Sequence, residues 1–120
     1  PTEPEADPLT EWLEATARFV PHARGDQLVL PGHKLPFTGL PFRLQQMAEN
    51  HHQALERLLG HLHEPQTAAG CFPALYKRPI GEGEYGLALV EAVAHLNCLL
   101  RRGQVCRWLS ADGAWLWQAV

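Results

Sequence analysis

Val29-Leu30-Pro31-Gly32-His33-Lys34-Leu35-Pro36-Phe37 is the stretch around which the chain is organised. The apolar residues before it, Leu28 to Leu30, predict a short buried strand over 27–30, and Pro31-Gly32 ends that strand in a sharp turn. The imidazole of His33 is therefore expected on a loop at a strand tip, where ligand and catalytic groups are often held. Without further context, one histidine in a turn is more often a surface residue with no such role.

The sequence around His33 resembles the segment that carries the last zinc ligand in metallo-β-lactamase-fold hydrolases, specifically in the glyoxalase II-like branch. In that family a helix and a strand lead to a Gly-His pair that completes a two-metal site. Residues 40–44 (LPFRL) and 51–58 (HHQALERL) resemble the helix that leaves the hydrolase core. Residues 91–96 (EAVAHL) and the Gly103 stop resemble the C-terminal helical domain that follows.

The resemblance implies a zinc hydrolase that cleaves a thioester or ester bond. His33 would supply one metal ligand through a neutral ring nitrogen, and the helical domain would line the entrance for a small acyl substrate. Zinc in such enzymes lowers the pKa of a bound water and polarises the carbonyl under attack. These are expectations that the family resemblance carries, and the spacing of residues alone does not give them.

The chain lacks the HxHxDH motif from which the family builds its metal site. Its one HxH, His61-Leu62-His63, is followed by Glu64-Pro65. No two of the histidines of that helix, at positions 51, 52, 61 and 63, stand three or four residues apart, so a substitute zinc site on it is not expected. We therefore predict the C-terminal piece of a larger hydrolase. Its partner would be an N-terminal catalytic domain of the same polypeptide, and the piece alone would hold no cofactor and be inactive.

Composition excludes several other classes. The formal net charge of −3 gives no attraction to nucleic acid, and no apolar run approaches the ~18 residues of a membrane span. The acidic, Pro-rich start is no signal peptide and is expected to be mobile over residues 1–6. Three cysteines with no CxxC predict reduced thiols in a cytoplasmic protein. A nucleophilic Cys98 beside His95 is disfavoured, since nothing there would lower the thiol pKa.

Local signals predict four helices and a hairpin. Asp7-Pro8 begins the first helix, which ends before Pro21, and Gly103 ends the last in a left-handed conformation. The predicted bounds are about 8–19, 41–63, 67–76 and 82–102 for the helices, with strands at 105–109 and 114–117 around the turn Ser110-Ala111-Asp112-Gly113. Trp108 and one of Trp115 or Trp117 are expected to be buried against the helices.

The predicted fold class is mainly α with a small β-hairpin. Residues 1–36 would be a partial helix and strand of a metallohydrolase core, and residues 37–120 a winged-helix-like three-helix domain. His51, on the apolar stripe of the long helix, is read either as a group near the metal site or as a buried imidazole. The stripe leaves His52, His61 and His63 solvated.

The sequence leaves two other functions to consider, nucleic-acid binding and dimerisation. A nucleic-acid-binding winged helix would present the last helix, which carries Glu82, Glu84 and Glu91 but no Lys or Arg from 82 to 100 and so repels phosphate. A dimerisation module, forming a homodimer through the unpaired edges of 27–30, is compatible with the hydrolase reading.

Overall fold

The computed structural model describes residues 3–120, which form four α-helices and one β-hairpin. The helices are α1 Pro8–Phe19, α2 Leu40–His61, α3 Phe72–Leu75 and α4 Glu82–Arg101, and the strands are β1 Val105–Leu109 and β2 Trp115–Ala119. Two 3₁₀ turns, Val20–His22 and Ala69–Cys71, extend α1 and precede α3. The predicted fold class, mainly helical with a small hairpin, is confirmed. Within the described residues, no helix is both long and apolar enough to cross a membrane.

The start of α1 follows the predicted capping chemistry. The Asp7 carboxylate accepts a hydrogen bond from the Thr10 backbone N–H at 3.0 Å, and Pro8 occupies the first helical position. The α-helix ends at Phe19, before Pro21, as predicted, and a 3₁₀ turn over Val20–His22 continues from it. A 3₁₀ turn tolerates proline there because Pro21 lies near its start.

The residues ahead of α1 are held in place by a buried side chain of α4. The Asn97 side-chain amide donates hydrogen bonds of 2.8 Å to the carbonyl oxygens of Pro4 and Ala6. The predicted mobility of residues 1–6 is therefore wrong for residues 3–6, and residues 1–2 lie outside the described part of the chain. Sequence reasoning missed this because the partner is 91 positions away from Ala6.

The strand predicted over 27–30 is wrong. Only Val29 pairs, in an isolated antiparallel bridge with Phe37 whose N···O distances are 2.8 and 3.1 Å. Leu28 and Leu30 are 65% and 73% exposed, so the run is not buried. A short apolar run forms a buried strand only where a sheet covers it, and residues 3–120 contain no such sheet.

The core lies between α2, α4 and the hairpin. One face of α2 buries Leu55 and Leu58, followed by Leu62 just after the helix. These leucines belong to one apolar cluster with α4, the turn before α3 and the hairpin; its other buried members are Leu9, Cys71, Leu96, Cys98, Leu99, Val105 and Trp117. The 3–4 spacing on α2 therefore selects the buried face as predicted for its C-terminal half, while Leu44, Met47 and Ala48 are only half-buried.

The structure of the hairpin corrects the prediction for one tryptophan. Side chains alternate along a strand, and Val105 and Arg107 of β1 face the helices. Trp108 therefore points away and is 37% exposed, whereas Trp117 of β2 is 2% exposed. The predicted burial of Trp117 is confirmed and that of Trp108 is wrong.

Two glycines and one extra bridge fix the hairpin. Gly103 and Gly113 have positive φ, 69° and 85°, at the end of α4 and in the predicted turn. Gln66 forms an antiparallel bridge with Trp117, with N···O distances of 2.9 Å in both directions. The hairpin is thus joined to the segment between α2 and α3.

Candidate functional site

His33 is at the tip of a loop closed by the Val29–Phe37 bridge. Its side chain is exposed. The next residue, Lys34, has a φ of 69°, the one non-glycine residue among residues 3–120 with positive φ. A left-handed conformation in a residue with a Cβ costs about 1–2 kcal/mol, and such local strain is often found at ligand sites. The loop therefore presents an accessible imidazole from a constrained backbone.

A groove runs beside His33 between this loop and the start of α2. Its volume is about 540 Å³. The loop contributes Leu35 and Phe37, and α2 contributes Leu44 and Met47 to the apolar wall. His33, Lys34 and Arg43 supply the polar groups. Ligand sites commonly combine a mostly apolar concavity with a few polar groups, and this groove has that composition.

The groove does not contain a metal site by itself. No group of three or more His, Cys, Asp and Glu side chains within residues 3–120 is arranged to hold a metal ion. A catalytic zinc site takes three protein ligands at about 2.0–2.2 Å. At this groove, the described residues supply one imidazole, that of His33.

His51 lies close to His95, and not in the groove. The His95 Nδ1 lies 2.8 Å from the Glu91 carbonyl oxygen, which only accepts, so Nδ1 carries the proton. On its other side, the His95 Nε2 lies 3.3 Å from the His51 Nδ1, within hydrogen-bond distance. The Trp12 ring packs edge-on against His51, with 5.0 Å between the ring centroids. The contacts of the two rings thus join α1, α2 and α4, and half-buried His51 is closer to a packed, hydrogen-bonded imidazole than to a group near a metal site.

Burial lowers the pKa of His51 below its ordinary value, with His95 lowering it further, Glu91 raising it and His52 lowering it. His95 is 3% exposed, which closes it to substrate. The arrangement is structural.

The remaining histidines are placed mostly as predicted. His52 and His63 are exposed. His61 is half-buried, and its Nε2 lies 2.9 Å from the Gly70 carbonyl oxygen, so the prediction that it is solvated is wrong. The chain folds back after α2 and brings Gly70 over this histidine, a contact that helical periodicity does not reveal.

The cysteines show no sign of an activated thiol. Cys71 and Cys98 are buried and Cys106 is exposed. Burial raises the pKa of the Cys71 thiol to about 11. Cys98 lies 3.5 Å from the Thr10 hydroxyl and inside the core. A nucleophilic cysteine is therefore not supported, in line with the sequence argument.

Sequence reasoning missed the contact of His95 with His51 and the inward position of Arg107. The burial of His95 had a signal, because it falls on the apolar face of α4, but its contact with His51 spans 44 positions. Arg107 alternates with outward residues of β1 and packs on two tryptophan rings. The period-2 pattern of the strand could have placed Arg107 on the inner face.

The sequence matches the family model described as metallo-beta-lactamase-like, C-terminal domain, over residues 55–120. This match covers more than half of the chain, and the chain belongs to that family. No curated protein matches the sequence.

Two solved structures are similar over nearly the whole chain. A beta-lactamase domain protein from Burkholderia ambifaria is 35% identical with a TM-score of 0.90, over 99% of this chain and 35% of that one. A metallo-beta-lactamase family protein from Thermus thermophilus is 25% identical with a TM-score of 0.77, over 95% of this chain and 34% of that one. The chain spans about a third of the length of these two proteins. Their similarity extends to residues before 55, which the family model does not match.

Proposed function

We propose that this chain is the C-terminal part of a metal-dependent hydrolase, with zinc as the metal and a thioester or ester as the substrate, in the glyoxalase II-like branch of its superfamily. The observation that carries the proposal is the exposed imidazole of His33 at the rim of an apolar groove, in a chain of this family. In the whole enzyme, His33 would donate one ligand and the other ligands would come from the catalytic domain. The enzyme would work in the cytoplasm.

The groove suits the acyl part of such a substrate. An acyl chain is apolar, and the wall formed by Leu35, Phe37, Leu44 and Met47 would bury it next to the group that approaches the metal. Lys34 and Arg43 carry positive charge at the same groove, where a carboxylate or phosphate of the carrier thiol would lie. The domain would thus line the substrate entrance and hold the substrate without catalysing alone.

An exposed apolar face supports a catalytic domain as partner. Large apolar side chains cluster between the end of α1 and the start of α2 and are well exposed: Phe19, Val20, Leu28, Leu30, Leu35 and Phe42. Several large apolar side chains exposed within one stretch of chain are a feature of interaction surfaces. In this proposal residues 1–36 complete the catalytic core and residues 37–120 form the second domain.

The second domain is proposed to be winged-helix-like. Its helices α2, α3 and α4 are followed by a hairpin, and the Gln66–Trp117 bridge adds a third chain segment to that hairpin. The alternative role in nucleic-acid binding is disfavoured by α4, whose exposed first half carries Glu82, Glu84 and Glu91. Fold resemblance alone is no argument for that role.

The proposal predicts that the 120-residue chain alone hydrolyses no thioester above background. An acyl-glutathione and an acyl-coenzyme A thioester, each with added zinc, are assayed against the chain and against a longer protein that adds the catalytic domain. Turnover is expected only from the longer protein, because the chain supplies a single ligand. Zinc-dependent turnover by the chain alone would contradict the proposal that it is not catalytic by itself. If neither protein hydrolysed the thioesters, the proposed substrate class would be wrong.

A further inference from the structure

A second cleft lies between the hairpin and α4. Its volume is about 380 Å³, at the small end of the range for ligand pockets. Leu89 and Val93 of α4 form one wall, and Trp115 and Trp117 of β2 form another. Arg107 is the one charged residue that lines it among the described residues. The cleft is thus an apolar, partly aromatic space with a single cation.

Stacking fixes Arg107 in the wall. Its guanidinium carbon lies 4.2 Å from the centroid of the Trp115 ring and 5.0 Å from that of Trp117. The Arg107 side chain is only 13% exposed. A guanidinium stacked on two rings and shielded from water keeps its position whichever anion it binds.

Glu5 is the counter-ion of Arg107, and their ion pair is weak. The Glu5 carboxylate oxygens lie 2.9 and 3.0 Å from the Arg107 Nη2, and the Glu5 side chain is 73% exposed. Both contacts use the same nitrogen, so the two-nitrogen fork that matches a carboxylate is not engaged. Asn97 holds the backbone on both sides of Glu5, at Pro4 and Ala6. Glu5 can therefore leave by side-chain rotation alone.

We propose that this cleft binds a small aromatic monocarboxylate. Its carboxylate replaces Glu5 on the guanidinium of Arg107, and its ring lies in the apolar space beside Trp115. The single cation selects one negative charge, and the aromatic wall favours a flat ring. Glu5 acts as a competing anion carried by the chain itself.

This cleft is separate from the groove beside His33. The groove is lined by the first turns of α2. The hairpin contacts the C-terminal end of the same helix, where the Ala119 N–H donates a hydrogen bond of 2.8 Å to the Leu62 carbonyl oxygen. The 22 residues of α2 span about 33 Å at 1.5 Å per residue. The inference therefore stands independently of the proposed hydrolase function.

The probe is phenylacetate, with phenylacetamide as its neutral counterpart. Both are titrated into the ¹⁵N-labelled chain while the tryptophan indole N–H signals are followed by NMR. Phenylacetate is expected to shift the signals of Trp115 and Trp117, and phenylacetamide to leave them in place. Equal responses to the two compounds would overturn the role of Arg107.

Two variants and one control sharpen the test. Glu5→Gln removes the competing anion, and tighter binding by about two- to fivefold is expected, the range of an exposed ion pair. Arg107→Gln should abolish binding. Arg24→Gln, which breaks the exposed Arg24–Asp26 pair, should leave affinity unchanged. If Glu5→Gln shows no indole shift at tens of millimolar phenylacetate, the proposal is wrong whatever happens to the fold of Arg107→Gln.

Discussion

His51 makes the stability of the chain depend on pH. Burial and the neighbouring His95 hold its folded pKa below the ordinary value of 6.5. As pH falls, the unfolded chain therefore takes up this proton before the folded chain does. The contribution of His51 to stability is complete above about pH 6.5 and is lost as pH falls through the lower folded pKa.

We expect His51→Gln to flatten this part of the pH dependence. The measurement is the free energy of unfolding in urea at several pH values from neutral to mildly acidic. His22→Gln is the matched control, since His22 is exposed in the 3₁₀ turn after α1. This role of His51 would be refuted if the free energy of unfolding changed with pH equally in the parent, His51→Gln and His22→Gln chains.

The sequence predicts the positions of some site residues but not the contacts of others. Loop placement of His33 followed from Pro31-Gly32, because such pairs act on the adjacent backbone. The contact between His51 and His95 did not, because it forms only when α2 packs on α4. The metal role of His33 came from resemblance and stays a prediction.

At the scale of elements, helices were predictable and the first strand was not. Helix ends depend on nearby groups, such as the Asp7 cap and the Gly103 stop, which the sequence contains. A strand depends on a partner, and Val29 finds only Phe37. The apolar run around it remains exposed for the same reason.

The hairpin should lose stability unequally when its tryptophans are truncated. Trp117→Ala removes a core ring and is expected to cost about 3–5 kcal/mol. Trp108→Ala removes an outward ring and is expected to cost about 1 kcal/mol or less. Urea unfolding of both variants measures the two losses. Equal losses of stability would mean that Trp108 also packs in the core, against the orientation that its pairing with Leu116 gives it.

Helix α4 should give the chain no useful affinity for double-stranded DNA. Its exposed first half carries Glu82, Glu84 and Glu91, which repel phosphates. Mobility shift with a mixed-sequence duplex at micromolar protein and near-physiological salt is the measurement. A salt-sensitive shift would restore the nucleic-acid hypothesis, and a shift that a Glu82→Gln, Glu84→Gln chain strengthens would locate it on α4.

The whole molecule is elongated, with extents of 55 × 32 × 25 Å. The hairpin lies at the C-terminal end of α2, and the exposed apolar side chains with His33 lie toward its N-terminal end. The fold thus combines one apolar core with a separate group of exposed apolar side chains. The division of the chain into residues 1–36 and 37–120 stays a prediction from family resemblance, while the exposure of the apolar side chains required the structure.

The most direct test of the central claim is the zinc content of a longer protein that joins this chain to the proposed catalytic domain. His33→Ala should lower both bound zinc and turnover, since it removes the proposed ligand, whereas His52→Ala, at an exposed histidine on α2, should change neither. In the 120-residue chain, His33→Ala should leave the melting temperature nearly unchanged, as expected of a surface substitution. Full zinc occupancy and full rate in the longer His33→Ala protein would contradict the ligand role of His33.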